Sequence, residues 1–199
     1  MSTEEADIRA RILEAAEARF RVYGFNKTTM AEVASDCRMS AANLYRYFDS
    51  KQAIGAAIAE RCIGEQASRL RQLIRDNGPT AGEKIERFVI EVLHYTYEQL
   101  AGQPKMAELV EHICAERKDL VREGKLHQMV SLVAEIIAEG NRSGEFAVDD
   151  VIGAAHGVVM ATVPFHSPFI IMSGVFEKAE LEVSARQVAG LLVQGLAAR

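Results

Sequence analysis

Residues 28–51 carry closely spaced signals for helix starts and therefore constrain the fold more than any other segment. Thr29 and Glu32 have the spacing of a capping box, in which each side chain satisfies the backbone amide of the other. Ser40 supplies a second N-cap a short turn later, and Ser50 supplies a third. Two short helices joined by a tight turn form a helix-turn-helix, whose second helix enters the major groove of DNA. The segment therefore predicts a DNA-binding head near the N-terminus.

The rest of the 199-residue chain also favours helices. Apolar residues recur at three- and four-residue spacing, and no segment shows the alternation typical of strands. We predict an all-α fold of about nine helices, with a three-helix head over residues 1–51 and a helical body over residues 52–199. Breaks in the body are predicted at residues 102–104, 140–144 and 164–174, where glycine and proline interrupt the pattern.

The composition is that of a globular protein, with 49% hydrophobic and 26% charged residues. The longest apolar run, residues 151–163, is shorter than the roughly 18 residues that span a bilayer. The acidic first residues lack the features of a secretory signal. We therefore expect a cytoplasmic protein without membrane contact. The three cysteines lie far apart without a Cys-x-x-Cys pair, so we expect no metal site and no cofactor.

The charge is divided unevenly along the chain. Residues 19–51 contain six basic and three acidic side chains, a local charge of +3, whereas the whole chain carries −5. The remaining segments therefore carry −8. This asymmetry suits a positive surface that faces DNA phosphates and an acidic body held away from them.

The predicted second helix of the motif presents a candidate reading face. If the Leu44 side chain faces the core, the helical period of 3.6 residues places the neighbouring side chains of the same helix on its exposed face or at the edges of that face. Asparagine can bond to adenine, arginine to guanine, and an alanine methyl group can contact thymine. The predicted base-reading residues are Ala41, Ala42, Asn43, Tyr45 and Arg46.

Phosphate contacts are predicted at the ends of the helices, where backbone amides, hydroxyls and a lysine could meet the DNA backbone. Two alternatives stay open at this point: Tyr47 could belong to the core, and Lys51 could be a solvated charge. The predicted phosphate-contacting residues are Thr28, Thr29, Ser40, Tyr47 and Lys51.

These residues together resemble the head of the tetracycline-repressor (TetR) family over about residues 8–58. The resemblance implies a homodimeric transcription regulator, usually a repressor, whose body binds a small molecule and thereby releases a palindromic DNA operator. It is carried by Gly24-Phe25, Thr28-Thr29, Val33-Ala34, Met39-Ser40, Leu44-Tyr45-x-Tyr47-Phe48 and Lys51.

One residue departs from the family pattern. Arg38 occupies the turn position where the family usually has glycine. Either the turn differs slightly, or Arg38 adopts a positive φ at a cost of about 1 kcal/mol. We favour the second interpretation, in which Arg38 also adds positive charge near the DNA, because this cost is small.

The body contains aromatic, methionine and histidine residues that suit a pocket for an apolar ligand with one or two polar anchors. The effector is a small molecule whose identity the sequence does not indicate. The predicted pocket residues are His94, Tyr97, Met106, His112, Met129 and Phe165.

The family resemblance assigns dimerisation to the last two long helices. These helices carry apolar stripes and could form half of a four-helix interface. The alternative is that both stripes face only their own core. The predicted interface residues are Ile152, Val159, Leu181, Val188 and Leu192.

Two other functional classes remain as alternatives. The protein could regulate DNA without an effector, or it could be a small-molecule binding module or enzyme whose head has lost affinity for DNA. Ala41 and Ala42 make the reading face somewhat bare, which favours the latter. The sequence contains no nucleophile elbow, phosphate-binding loop, dinucleotide fingerprint or zinc-binding helix motif, so we expect no enzyme and no catalytic residues.

Overall fold

The all-α prediction is confirmed by a computed structural model that describes residues 3–198. Within those residues there are eleven α-helices, one 3₁₀ turn (Pro104–Met106), one π-helical segment (Leu120–Leu126) and no β-strand. The helices are α1 (Thr3–Tyr23), α2 (Met30–Asp36), α3 (Ala41–Tyr45), α4 (Lys51–Arg75), α5 (Ala81–Leu100), α6 (Ala107–Glu116), α7 (His127–Ser143), α8 (Val151–Ala161), α9 (Val163–His166), α10 (Pro168–Ser173) and α11 (Lys178–Leu196).

The expected number of nine helices is too low because the predicted break over residues 164–174 contains α9 and α10. Each of these short helices has proline in its first turn. Proline ends a helix that precedes it but suits the first turn of a new one, where its missing N–H is not needed. Both prolines therefore follow helix ends, as predicted, but each also lies in the first turn of a short helix that was not expected.

The predicted caps at Thr29, Ser40 and Ser50 are present, and Thr80 adds a capping box that was not predicted. The Thr29 and Thr80 side chains each form a reciprocal capping box with the glutamate three residues later. Ser40 Oγ accepts a hydrogen bond from the Asn43 amide at 3.2 Å, and Ser50 Oγ accepts one from the Ala53 amide at 3.1 Å. Local chemistry thus fixes the starts of α2 to α5.

The segment that leads into α7 has an irregular helical register. Its first part, Leu120–Leu126, is π-helical, and regular α-helix starts only at His127. A π-helical turn carries an extra residue and is rare. Hydrophobic periodicity does not distinguish this register from an α-helix.

The chain divides into two compact units, and the division falls within α4. The first unit contains the chain up to Cys62 together with Gln103–Val121, and the second contains Ile63–Gly102 and the residues from Arg122 onward. The division at residue 51 stays a prediction. None of the helices in residues 3–198 is long and apolar enough to cross a membrane.

The first unit has its own apolar core, formed by α1 to α4 and α6. The rings of Phe20 and Phe25 meet edge to face, with centroids 5.2 Å apart. The His112 ring stacks on the Phe25 ring, with centroids 5.0 Å apart. The fully or almost fully buried residues of this core include Ile12, Ala16, Val33, Ala34, Leu44, Phe48, Ile54, Leu109 and Ile113.

The second unit is built around α5, which packs against α7, α9, α10 and α11. Its first turn is anchored by Glu145, whose carboxylate accepts hydrogen bonds at 2.8 Å from the amides of Ala81 and Gly82. An anion at that position also suits the positive end of the helix dipole. Further along α5, the 1% exposed Lys84 donates to both carboxylate oxygens of Glu139, at 2.7 and 2.8 Å.

Candidate nucleic-acid interface

The turn between α2 and α3 has the backbone that the sequence indicated. Arg38 has φ +56°, the only positive φ among the non-glycine residues described in this structure. The Met39 amide donates to Ala34 O at 2.9 Å and the Arg38 amide to Ser35 O at 3.0 Å. This is the pattern of a Schellman motif, in which the residue after the C-cap is left-handed. The prediction that Arg38 bears the strain is therefore confirmed.

The outer face of α3 is open to solvent. Leu44 is buried in the first unit, whereas Ala42, Tyr45 and Arg46 are exposed. Ala41 and Asn43 are partly exposed beside them. This helix is only five residues long, and it is held by the Ser40 cap and by the buried Leu44. Base reading by these five residues stays a prediction.

Thr28 does not lie on that surface. Its side chain is 2% exposed, and its hydroxyl donates to Gly24 O at 2.9 Å. A threonine at this place closes the turn that follows α1, where Gly24 has φ +92°. The expectation that the Thr28 hydroxyl faces phosphate is corrected, because the group is buried and its proton is already donated.

Thr29 and Lys51 also donate hydrogen bonds to groups within the head. The backbone amide and the hydroxyl of Thr29 both donate to the Glu32 carboxylate, at 2.8 Å each. Lys51 Nζ donates to Phe25 O at 2.6 Å and to Asn26 O at 3.1 Å. Partial burial lowers the pKa of Lys51. Both residues shape the approach to α2, and their phosphate contacts stay predictions alongside those of Ser40 and Tyr47.

Fewer basic side chains of the head contribute exposed positive charge near α2 and α3 than the sequence indicated. Arg19 forms a bidentate pair with Asp36, at 2.6 and 3.0 Å, and a 3.3 Å ion pair with Glu32. The hydrogen bond from Arg19 holds the pKa of Asp36 below its usual value. These charges offset one another, and the exposed cations nearest α2 and α3 are Lys27, Arg38 and Arg46.

Two positioning residues were missed by the sequence analysis. Glu108 on α6 accepts a 2.7 Å hydrogen bond from the Asn26 amide, and it approaches Gly24 so closely that a Cβ there would lie 2.8 Å from its Oε2. Arg9 on α1 donates to Tyr47 O and places its guanidinium 4.1 Å above the Phe48 ring. Both contacts are long-range in sequence, and no local motif indicates them.

The six residues of the predicted ligand pocket are divided between the two units. Met106 and His112 belong to the first unit, while the other four belong to the second. His94 pairs with Glu182 at 2.7 Å, and the Lys178 ammonium lies 5.6 Å from the centre of the Tyr97 ring. Phe165 is core. Met129 lines a narrow cavity within the second unit, and a single pocket formed by all six residues stays a prediction.

The predicted dimer-interface residues differ in how deeply they are buried. Val159 and Leu181 are buried in the core of their own unit, which corrects their assignment to an interface. Val188 and Leu192 are partly buried against the same core, and Ile152 is 62% exposed. The apolar side chains of α8 and α11 that do face solvent are Ile152, Met160, Val183 and Leu191.

Two family models match the chain over most of its length. The model described as bacterial regulatory proteins, tetR family, matches residues 12–58. The model described as tetracyclin repressor-like, C-terminal domain, matches residues 81–189. The first match covers the helix-turn-helix described above, and the second covers most of the second unit together with α6.

Similar proteins agree with the family models. The HTH-type transcriptional regulator UidR of Escherichia coli is 26% identical over 151 residues, which cover 75% of this chain and 74% of UidR. A transcriptional regulator from Cytophaga hutchinsonii has a similar structure, with TM-score 0.73, 22% identity and coverage of 94% and 97% of the two chains. A TetR-family regulator from Pectobacterium atrosepticum gives TM-score 0.70, 20% identity and coverage of 100% and 98%.

Proposed function

The chain belongs to the tetR family of bacterial regulatory proteins, and we propose that it acts as a homodimeric repressor that a small molecule releases from a palindromic operator. Such a regulator works in the cytoplasm, where the bacterial chromosome lies. The proposal includes no catalytic step, since the matching models and relatives describe regulators.

The observation that carries this proposal is the exposed face of α3 beside the left-handed turn at Arg38. Asn43 and Arg46 lie on this face, and they are the side chains best suited to hydrogen-bond base edges. Arg38 and Lys27 add exposed positive charge nearby, which suits the phosphates on either side of the groove. The Ser40 hydroxyl can still donate a hydrogen bond to a phosphate, because its oxygen acts only as an acceptor in the cap.

The DNA-binding step is tested by selecting bound sequences from random DNA and measuring affinity for the selected site. The Asn43→Ala, Arg46→Ala double variant should lose sequence preference, by about 1–3 kcal/mol for each base contact removed. Its helix content and oligomeric state should be unchanged, because both side chains point away from the core. Ser35→Ala, at an exposed position on α2, is the matched control. Equal binding by the double variant and the control would refute the proposal.

The homodimer is supported by the exposed apolar stripe on α8 and α11. Leu191 is 69% exposed and Ile152 is 62% exposed, and Gly153 and Gly157 allow close approach of another helix. A two-fold dimer would present its two heads to half-sites about 34–36 Å apart. Leu191→Arg should yield monomers by analytical ultracentrifugation, whereas Gln72→Arg on α4 should leave the oligomeric state unchanged. A dimeric Leu191→Arg variant would contradict this interface.

The release step is supported by α4, a continuous helix that contributes residues to both compact units. We propose that ligand bound among the body helices shifts α4 and so changes the spacing of the two heads. Metabolites that bind the protein in the absence of DNA should therefore lower its affinity for the selected operator. A ligand that binds without changing operator affinity would refute this step and leave DNA binding intact.

A further inference from the structure

The helix-turn-helix carries no net positive charge of its own. Within residues 29–45 the charged side chains are Glu32, Asp36 and Arg38, which give a net charge of −1. The helix α3 contributes none of them, because its sequence is Ala-Ala-Asn-Leu-Tyr. A DNA-binding surface needs cations that replace the counterions of the phosphates. The cations of this head must therefore come from residues outside the motif.

Both acidic residues lie on one side of α2. Glu32 and Asp36 are one turn apart, so their side chains are neighbours on the helix surface. Glu32 lies beside the helix start, where its carboxylate accepts hydrogen bonds from the amide and the hydroxyl of Thr29. The two side chains are 44% and 37% exposed. The first helix of a helix-turn-helix crosses the DNA backbone, so these carboxylates place negative charge near its phosphates.

Arg19 on α1 contacts both carboxylates. Its Nε and Nη2 donate to the two oxygens of Asp36 at 2.6 and 3.0 Å, and its Nη1 lies 3.3 Å from Glu32 Oε1. The centre of its guanidinium group also lies 5.0 Å from the centre of the Tyr23 ring. All three guanidinium nitrogens are therefore directed at the acids of α2. The side chain is only 17% exposed, which indicates that it is held in this place.

Neither carboxyl group can lose its charge by protonation near neutral pH. The hydrogen bond from Arg19 lowers the pKa of Asp36, and hydrogen bonds from Thr29 lower the pKa of Glu32. Asp36 is also the last residue of α2, where the helix dipole opposes a negative charge. Compensation of the two acids therefore depends on a cation, and Arg19 is the cation that contacts both.

We propose that Arg19 sets the affinity of the head for DNA by masking Glu32 and Asp36, two carboxylates that otherwise repel the phosphate backbone. The inference rests on the DNA binding of the proposed function and adds a role for a residue outside the motif. Arg19 acts through the two acids and reads no base. Because every DNA sequence has the same phosphates, the mask affects operator and random-sequence duplex alike.

Three variants of the full chain test the mask, with operator affinity measured by fluorescence anisotropy at about 50 mM salt. Arg19→Met exposes both acids and should weaken binding about three- to tenfold. Asp36→Asn removes one acid and frees donors of Arg19, so it should strengthen binding by about the same factor. The Arg19→Met, Asp36→Asn double variant restores the original net charge and should bind within about twofold of the unmodified protein.

Unfolding by urea separates masking from a merely structural contact. Arg19→Met and Asp36→Asn both break the ion pair, so both should lower the unfolding midpoint. If the pair only held α1 against α2, both variants would also lose operator affinity. Masking instead gives opposite changes in affinity. Glu32→Gln adds a second test, because glutamine keeps the acceptor of the capping box without its charge; this variant should also bind DNA more tightly.

Salt and DNA sequence provide two further measurements. The affinity differences between the variants should shrink as salt rises from about 50 mM to about 300 mM, because screening weakens interactions between separated charges. The same factors should appear with a random-sequence duplex, since the effect acts on phosphates. A displaced α3 would instead weaken operator binding more than binding to random DNA, and its effect would persist at high salt.

Arg21→Met is the matched control. It removes the same charge from the same helix, but the acid that it leaves, Glu17, keeps an ion pair with Arg61. Its operator affinity should therefore change less than that of Arg19→Met. Equal losses in these two variants would show that net charge alone decides the affinity, and would overturn the mask.

Two other results would also overturn the inference. One is weaker operator binding by Asp36→Asn than by the unmodified protein, and the other is a loss in Arg19→Met that stays the same at high salt. If the unmodified chain still binds its operator through Asn43 and Arg46, these results remove the mask alone. A chain that binds no DNA loses the proposed function together with this inference.

Discussion

The carboxylate of Glu108 accepts a 2.7 Å hydrogen bond from the backbone amide of Asn26, 82 positions earlier in the chain. Lys51 holds the same loop through the carbonyls of Phe25 and Asn26. The loop that leads into α2 is thus fixed through its amide by α6 and through its carbonyls by α4. Placement of the helix-turn-helix depends on side chains outside the motif itself.

Glu108→Ala should therefore weaken the head. Loss of a charge-assisted hydrogen bond should lower the free energy of unfolding by about 1.5–3 kcal/mol, and Glu108→Gln should lose less because an acceptor oxygen remains. Urea denaturation measures both, and operator affinity should fall in the same order. Glu111→Ala, at an exposed position on the same helix, is the control. Equal stability of the Glu108→Ala and Glu111→Ala variants would contradict the role of the contact.

Gly24→Ala should be destabilising for two reasons. The position has φ +92°, and a Cβ would lie 2.8 Å from Glu108 Oε2. The left-handed backbone alone costs about 1–2 kcal/mol, so we expect a lower melting temperature and weaker operator binding. Gly64→Ala, in the middle of α4 with no atom within 4 Å of the new Cβ, should instead stabilise the helix by about 0.5–1 kcal/mol. Changes of the same sign in both variants would refute this prediction.

Arg38→Gly should change stability little, although it relieves the positive φ. Relief of about 1 kcal/mol is opposed by the greater freedom of glycine in the unfolded chain, about 0.5–1 kcal/mol. Arg38→Val should be clearly destabilised, since a β-branched residue tolerates a positive φ poorly. If Arg38 contacts a phosphate, Arg38→Gly should also reduce the slope of log affinity against log salt by about one. A stable Arg38→Val variant would be inconsistent with the observed turn.

The Lys84–Glu139 pair should respond asymmetrically to mutation. Lys84 is 1% exposed, whereas the Glu139 side chain is 39% exposed. Glu139→Ala leaves an ammonium buried without its partner and should cost about 3–5 kcal/mol. Lys84→Met leaves a carboxylate that water can reach, so its cost should be smaller. Denaturant unfolding compares the two, with Glu135→Ala as an exposed control on α7. The reverse order would show that burial of the lysine does not dominate.

His166 should make the second unit sensitive to mild acid. Burial, aided by the charge of Lys125, lowers the pKa of His166 from 6.5 to about 4. The folded state therefore binds fewer protons than the unfolded state, and stability is lost as the pH falls from about 6.5 towards 4. At pH 5 the loss should be about 2 kcal/mol relative to pH 7 or above. Paired urea titrations at pH 7.5 and 5 measure it.

Replacement by a neutral side chain isolates this contribution. His166→Gln should remove most of the change between the two pH values, because glutamine does not titrate. The exposed His156 provides the control, and His156→Gln should leave the pH dependence as in the unmodified chain. If the His166→Gln variant keeps the full pH dependence, other groups cause it.

Local chemistry was sufficient to predict the head. The capping box at Thr29, the cap at Ser40 and the glycine at residue 24 each act within a few residues, so their geometry is visible in sequence. The positive φ at Arg38 was instead expected from the family resemblance, because the family usually has glycine at that turn position. The two prolines at residues 164 and 168 show the limit of this reasoning, because proline suits a helix start as well as a break.

The body was predicted less well, for a physical reason. Hydrophobic periodicity shows that α8 and α11 have apolar stripes, but it does not show whether Val159 or Ile152 faces the core. In the structure Val159 is buried and Ile152 is exposed. For the predicted ligand residues the same limit applies, since residue type alone does not show which side chains share one cavity.

The sequence by itself therefore determined the helical class, the capped helix-turn-helix and the side of α3 that faces solvent, because these follow from contacts within one or two turns. Only the tertiary structure decided that Thr28 is buried, that Glu108 holds the Asn26 amide, and that Arg19 on α1 pairs with the two acids of α2. Each of these depends on which helices pack together, and packing joins residues that are distant in the chain.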